Sequence, residues 1–510
     1  MNNMLKTIYT VETEQTESKL EAGLVLAHNL VGSTMGPNGN LNMYPGKGVY
    51  CPMTKDGATV VRHIGLHHDQ QIRNGVMLAV QSAVKQEKLY GDGTTLATIL
   101  CLAYWLIVRD SGLPVRDAIK MIDRDIELFE QAIKDNTKQI ETIEELKRIA
   151  MVSTNGDEEL AESVTNAVWD AGIYGQVIAG FQQAPGVTTK KTEGYVFNCG
   201  IQDREFMNQG PACILEGVHY LLTEKMINSA KEIDHIIQGL IKSADGNHVN
   251  LVIVGPEVGY SFRSQIISTF TNTDLMVKVA FVSTNQLLPG KAKFVLEDIS
   301  AVTGAQIISD GTKSWKSYTE SILGQSNSFY SDQERTIIFG TEADASDHIA
   351  KLEMVMETAE DAYLMDLAKE SHGMIKGGLH EIKIGALSEA ELMERRDRAD
   401  DAILACKSAL RGGYIVGGGT LPHILSSSSE IDFSNVFRQV MQYPMTILIT
   451  NGGVNPNDDL SYLKASQDHM KSVSELGIFD PSDVVIGAFK NAWSVISRAL
   501  LCKYMIMVCE

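Results

Sequence analysis

Along the first third of the chain, apolar residues recur at intervals of three and four. In "ESKLEAGLVLAHNLVGSTMGPNG", Leu20, Leu24, Ala27 and Val31 share one face, and the pattern stops at Gly-Pro-Asn-Gly. This spacing predicts an amphipathic helix that ends at that cluster, with His28 packed on its inner side. The stretch "LYGDGTTLATILCLAYWLIV" (89–108) then sets an acid, two glycines and two threonines in front of the longest apolar run in the chain. From Ala97 the run lasts about three helical turns, well short of the roughly 20 residues a bilayer needs, so a buried core helix is expected. Between these helices, "YPGKGVYCPMTKDGATVVRHI" reads as short segments around a turn at Asp56-Gly57.

The pattern changes after residue 190. The β-branched runs "VNLVIVG" (249–255), "LMVKVAFV" (275–282) and "AQIISD" (305–310) alternate with helical segments, which predicts an α/β layer. Gly377-Gly378 breaks the chain. Beyond it, "SEAELMERRDRADDAILACKSALRGG" opens on a capping box, Ser388 with Glu391, and closes at Gly412-Gly413 as a long helix should. The last hundred residues return to helical periodicity. Helical, then α/β, then helical again predicts one domain inserted into another, the two chain ends building a helical domain together. No short repeat or low-complexity tract interrupts this plan.

A length of 510 residues exceeds what one core sustains, and two or three domains are expected. The net charge of -20, from 64 acidic and 44 basic side chains, opposes binding to a phosphate backbone or an anionic lipid surface, so neither nucleic acid nor membrane is expected as a partner. The first residues, "MNNMLKTIYTVETEQTESKLEAG", lack the charged, apolar and cleavage regions of a signal peptide. The seven cysteines are odd in number and widely spaced without C-x-x-C, which points to free thiols in a reducing compartment. His63 and His67 stand four apart without the intervening acid of H-E-x-x-H, and read as surface or packing residues.

Three glycine signals are weak. "YPGKGV" lacks the rest of a Walker A loop, "VIVGPEVG" departs from G-x-G-x-x-G and places Pro256 where an amide is wanted, and "IVGGGTL" (415–421) alone is a turn. "GDGTTLAT" is stronger, because Asp92 stands where a helix begins and Thr94 and Thr95 add hydroxyls near free amides. An acid there repels a bare phosphate, whereas Mg²⁺ between them makes the same acid a ligand. On this stretch alone, a helix cap and a phosphate site stay equally open. "STMGPNG" and "TKDGATV" add a second glycine turn and Lys55 beside Asp56. Asp400 and Asp401 are adjacent on the predicted helix and project about 100° apart, so only one faces a given site.

Taken together, "TMGPNG", "TKDGATVVRHI", "GDGTTLAT", "VSTNGDEEL", "EDISAVTGAQIIS", "RADDAILACKSALRGGYIVGGGTL" and "GIFDPSDV", in this order, resemble a group I chaperonin of the GroEL type, across almost the whole chain. The resemblance implies a multidomain fold. A mainly α-helical equatorial ATPase domain (1–135 and 412–510) would join a small α/β intermediate domain (136–193 and 378–411) and an inserted α/β apical domain (194–377). It also implies an ATP-driven folding cage in the cytoplasm, built as seven-subunit rings. By motif, Thr34, Met35, Gly36 and Pro37 would line the nucleotide, with Lys55 near its phosphates. Asp92 would hold Mg²⁺, and Gly93, Thr94, Thr95 and Leu96 would wrap the phosphate tail. Gly418 and Asp480 would meet the nucleoside. Asp401, assisted by Asp56, would activate water once the hinge closes, and K⁺ would sit near the phosphates. Unfolded polypeptide would be gripped by apolar side chains: Ile201 and Phe206, the row Ile233, Ile236, Ile237 and Leu240, and the row Phe262, Ile266, Ile267 and Phe270. For each row the alternative is packing on the apical sheet.

The chain departs from the family pattern in several places. "EGYVFNCGIQDREFM" brings Asp203, Arg204 and Glu205 where relatives are apolar or small, which leaves client choice and a co-chaperonin lid open. The segments after "LIVRDSG" and after "NGGVNPND" are shorter than in relatives, where the rings touch, so a single ring, or a double ring with altered contacts, is expected. This divergence resembles that of chaperonins encoded by large bacteriophages. Two other classes stay in view: a ring-forming holdase or assembly scaffold with little turnover, and a metabolic phosphotransferase. The three acids Asp56, Asp92 and Asp401 weigh against the first, and the lack of a small-substrate motif weighs against the second.

Overall fold

A computed structural model describes residues 8–11, 13–44, 53–55, 57–65, 67, 69–192, 194–272, 275–288, 290–309, 314–359 and 361–508. The chain forms two compact units, one of residues 1–169, 179–188 and 382–510, the other of residues 170–178 and 189–381. Among the described residues no helix is long and apolar enough to cross a membrane.

The first unit is helical and is organised around Thr94–Asp110. Ala97, Ile99, Leu100, Cys101, Leu102, Ala103, Tyr104 and Trp105 are all buried, so this helix is enclosed by others on every side. Thr13–Gly32, Gln70–Tyr90, Asn435–Asn451 and Ser482–Ala499 pack against it. Leu20, Leu24, Ala27 and Val31 turn inward as their spacing predicts, and His28 is half-buried with its ring nitrogen 3.0 Å from the Tyr443 hydroxyl. Where Thr13–Gly32 crosses Gln70–Tyr90, a Cβ at Gly23 or Gly75 would run into the other helix's backbone, so the crossing requires glycine on both sides. The centre of the core is aromatic. Phe437 meets Phe129 edge-on at 5.7 Å between ring centroids, Phe129 lies 4.5 Å from Phe489, and Tyr104 lies 5.1 Å from Trp493.

The long helix expected after Gly378 is Glu389–Gly412. The Ser388 hydroxyl accepts the Glu391 amide at 3.2 Å, and Gly413 ends the helix with φ 77°. Met53–Thr54 and Gly57–Ile64 form a short strand and a helix on either side of Asp56, which lies outside the described residues. A three-stranded sheet has the order Gln176–Phe181, Leu379–Gly385, Gly186–Thr192.

The second unit is built on a seven-stranded mixed sheet. Its main path runs Gly194–Phe197, Thr336–Phe339, Gly324–Ser331, Cys213–Thr223, Val249–Gly255, Val277–Ser283, and Ile307–Ile308 pairs with Cys213–Thr223. The β-branched runs give the parallel strands, with Leu251 opposite His219 on one side and Val279 on the other. Ala230–Ser243 and Tyr260–Thr271 are the crossover helices, and each has one apolar stripe that it uses to cover the sheet.

That geometry corrects the expected client rows. Ile233, Ile236 and Leu240 on one helix, and Phe262, Ile266 and Phe270 on the other, are core side chains at 6 % exposure or less, as are Ile201 and Phe206. Only Ile237 and Ile267 keep partial exposure. The charged departure "DRE" has a structural role here. Asp203 pairs with Arg263 while Phe206 meets Phe270 edge-on at 5.2 Å, strapping this segment over the Tyr260–Thr271 helix.

The aromatic core sets the first prediction. Phe437→Ala should cost about 3–5 kcal/mol of first-unit stability, read as an earlier denaturant transition by circular dichroism. A shift of under 1 kcal/mol would mean that the ring stack is not what holds the helices together.

Candidate functional site

The site is built at the amino end of the buried helix. Gly91 closes Gln70–Tyr90 in the left-handed conformation, its amide donating to the Glu87 carbonyl at 2.8 Å. Gly93, also left-handed at φ 80°, occupies the N-cap position of Thr94–Asp110 and, as a glycine, brings no side-chain cap of its own. This settles one of the two readings of Asp92: it is not the helix cap. Its carboxylate instead accepts the Gly93 amide at 2.5 Å, and the Ser153 hydroxyl of "VSTNGDEEL" lies 3.5 Å from its other oxygen. The helix dipole favours negative charge at that end, where the N-cap glycine has no side chain to offer.

Two segments close on this loop. A Cβ at Gly57 would stand 2.7 Å from Thr95 Oγ1 and 3.1 Å from Thr94 Oγ1, so Gly57 seats directly against the threonines. Lys55 is half-buried, and its ammonium is held below the usual range, first by burial and then by Arg398, with Glu394 opposing. The helix carrying Asp401 also arrives here. Leu404, three residues on, blocks any Cβ at Gly91, which lays this helix against the glycine loop. Asp401 is half-buried, and Asp400 lies 3.6 Å from Arg396 on the same helix.

The second acid comes from the chain's other end. Phe479–Pro481 pairs antiparallel with Tyr414–Val416, setting Asp480 opposite Ile415. Asp480 Oδ2 accepts the Gly418 amide at 2.9 Å, and His469 Nε2 donates to the Gly418 carbonyl at 2.8 Å, so this one peptide is held from both sides. Burial, and after it the Asp92 carboxylate, pushes the Asp480 carboxyl up to about 6. Asp92 and Asp480 are thus near enough to feel each other's charge. The Cys406 thiol is also pushed up, by burial and then by Asp92.

"TMGPNG" is tied elsewhere in the same unit. The Thr34 hydroxyl donates to the Val31 carbonyl at 2.8 Å, and the Asn451 side chain donates to the Gly32 and Met35 carbonyls at 2.8 and 3.0 Å. Gly36 packs on Leu448, and a Cβ at Gly32 would meet Ile99 at 3.3 Å, which joins this turn to the buried helix. Sequence reasoning missed Gln86, Ser153 and His469. Gln86 had a signal, as an amide on the inner face of an amphipathic helix, whereas His469 had none.

A hard divalent cation fits this donor set. Two carboxylates raise one another's cost of ionisation, and a cation between or beside them removes it. Among the described residues no three His, Cys, Asp or Glu side chains cluster as a metal cage. Magnesium usually takes one or two carboxylates and completes its shell with phosphate and water, so the residues suit a cation that arrives with a nucleotide.

Residues 27–509 match the model of the TCP-1/cpn60 chaperonin family, and the chain belongs to that family. Its fold is that of the chaperonin gp146 from the bacteriophage EL 2 (Pseudomonas aeruginosa), crystallised in the presence of ATP-BeFx. Crystal form II superposes with a TM-score of 0.74 and form I with 0.65. Both are 20 % identical in sequence and cover 98 % of this chain and 99 % of gp146.

The Asp480 shift has a definite sign. Since the folded-state value of about 6 lies above the ordinary 3.8, the native protein binds this proton more tightly than the unfolded chain. The stabilising contribution is full below about pH 4 and is lost as pH rises through about 6. Asp480→Asn keeps an acceptor for Gly418 without the charge. In nucleotide-free, magnesium-free buffer, its melting temperature should gain on wild type by several degrees between about pH 4 and about pH 7.5. A constant difference across that range would contradict a buried, acid-facing Asp480.

Proposed function

We propose that this chaperonin is an ATP-dependent folding machine, driven by Mg-ATP hydrolysis in the first unit. The observation that carries the reading is the convergence of Asp92 and Asp480 at a glycine-capped helix end, against which the helix that bears Asp401 is laid. The presence of ATP-BeFx with gp146 supports a nucleotide as the ligand.

In this reading Gly93, Thr94, Thr95 and Leu96 wrap the phosphate tail with backbone amides and hydroxyls, and Lys55 supplies positive charge nearby. Asp92 holds Mg²⁺, which supplies charge neutralisation for the leaving phosphate when bound. Thr34, Met35, Gly36 and Pro37 line the nucleotide, Gly418 and Asp480 meet the nucleoside, and K⁺ accompanies the phosphates. Asp401 orients or deprotonates the attacking water, assisted by Asp56. The equatorial, intermediate and apical division at 1–135 with 412–510, 136–193 with 378–411, and 194–377 gives each step its own domain. Clients are unfolded polypeptides held by apolar side chains of the apical domain. Tyr260, 88 % exposed at the start of its helix, the exposed Leu288 and the partly exposed Ile237 and Ile267 are among the side chains available for that contact. The particle is a seven-subunit ring, single because both segments expected between rings are short.

Asp401→Ala should lower ATP turnover by about 100-fold while MgATP affinity stays within about threefold, measured by phosphate release and titration calorimetry. Refolding of a denatured enzyme should then stall with the variant. Unchanged hydrolysis would remove Asp401 from the mechanism, and refolding without any nucleotide would favour a holdase. Native mass spectrometry should give a heptamer, and a tetradecamer would overturn the single ring.

A further inference from the structure

We propose that Gln86 is a positioning residue of the nucleotide site, a buried amide that fixes the Asp92–Gly93 loop against the segment carrying Asp480. This rests on reading that loop as the phosphate cradle. Gln86 lies near the end of Gln70–Tyr90 and is fully buried, an unusual place for a primary amide unless its hydrogen bonds are made. They are made. Nε2 donates to the Asp92 carbonyl at 2.9 Å and to the Val484 carbonyl at 3.0 Å, and Oε1 accepts from the buried Asn491 side chain at 2.9 Å. One amide group thus holds three partners, using both donors and one acceptor position.

The two carbonyls belong to the two sides of the site. Asp92 carries the loop acid, and Val484, four residues after Asp480, lies in the first turn of Ser482–Ala499. Asp92 and Asp480 repel each other, and the two segments must keep a fixed spacing for the phosphates at Asp92 and the nucleoside at Asp480 to be held together. Two bonds from a single planar NH₂ group set that spacing from behind. The packing around the clamp leaves it little play. A Cβ at Gly93 would stand 2.6 Å from Val484 Cγ1 and 3.0 Å from Gln86 Nε2, and one helical turn beyond Gln86 the Tyr90 ring occupies the place of a Cβ at Gly487, one turn before Asn491. Because Gln86 binds carbonyls, it reaches the nucleotide only through loop geometry.

The test uses the full-length protein and MgATP. Gln86→Met keeps the length and removes every hydrogen bond. Asn491→Ala leaves the two donor bonds but frees the amide to rotate. At a temperature where circular dichroism shows the variants folded, Gln86→Met should weaken MgATP binding about tenfold and Asn491→Ala about threefold, with kcat at saturating ATP changed less than KM. A purely structural role would lower the melting temperature and leave the affinity of the folded protein within twofold, and that result overturns the clamp. If Gln86→Met does not fold, the affinity of Asn491→Ala decides by the same criterion. Asp92→Asn is the control for the site itself: if it also binds MgATP like wild type, the cradle reading falls and the clamp with it.

Discussion

The Thr94–Asp110 helix has nowhere to move. It is enclosed by four other helices, and its amino end is reached through two left-handed glycines that leave no side chain to cap it. An uncapped helix end normally costs about 1 kcal/mol relative to a good cap. Here the burial of nine apolar side chains behind it dominates, so the glycine-capped end persists as a fixed feature. The threonines, the "TKDG" segment and the Asp401 helix are all located by contact with that end.

Electrostatics run against stability at the same place. Asp480 is buried near another acid, and its carboxyl rises to about 6 as a result. A protein optimised only for folding would replace one of the two by an amide. The Gly418 peptide, held by Asp480 at its amide and by His469 at its carbonyl, shows that the acid is also tied into the scaffold and does not depend on the ligand for its position.

Local periodicity made much of this legible from sequence. Leu20, Leu24, Ala27 and Val31, the strand Val249–Gly255 and the capped helix after Ser388 follow from spacing and cap chemistry, because each is decided by neighbours within a few residues. "AQIISD" yields only the two-residue strand Ile307–Ile308, because strand length is set by the partner Cys213–Thr223 and not by propensity. The Gln86 relay joins residues 86 and 491, and the Gly418 grip joins 418 and 469. Such contacts depend on tertiary packing, and no spacing along the chain encodes them. Asp92 itself was legible as a choice between two roles, and only the φ of Gly93 and the direction of the carboxylate separate them.

The apolar rows of the second unit show why exposure is harder to read than periodicity. A helix that crosses between parallel strands has one apolar stripe, and covering the sheet consumes it. Ile233, Ile236, Phe262 and Ile266 have helical spacing for that reason, and the same spacing would serve a free surface equally well. The decision lies with the segment above them. Asp203 on Arg263 and Phe206 on Phe270 hold the 201–207 strap against the Tyr260–Thr271 helix, so the charged residues that break the family pattern are the ones that close this face. Of the two rows and their helices, Tyr260 with parts of Ile237 and Ile267 stays outside, and elsewhere in the second unit Leu288 and Met354 are exposed as well.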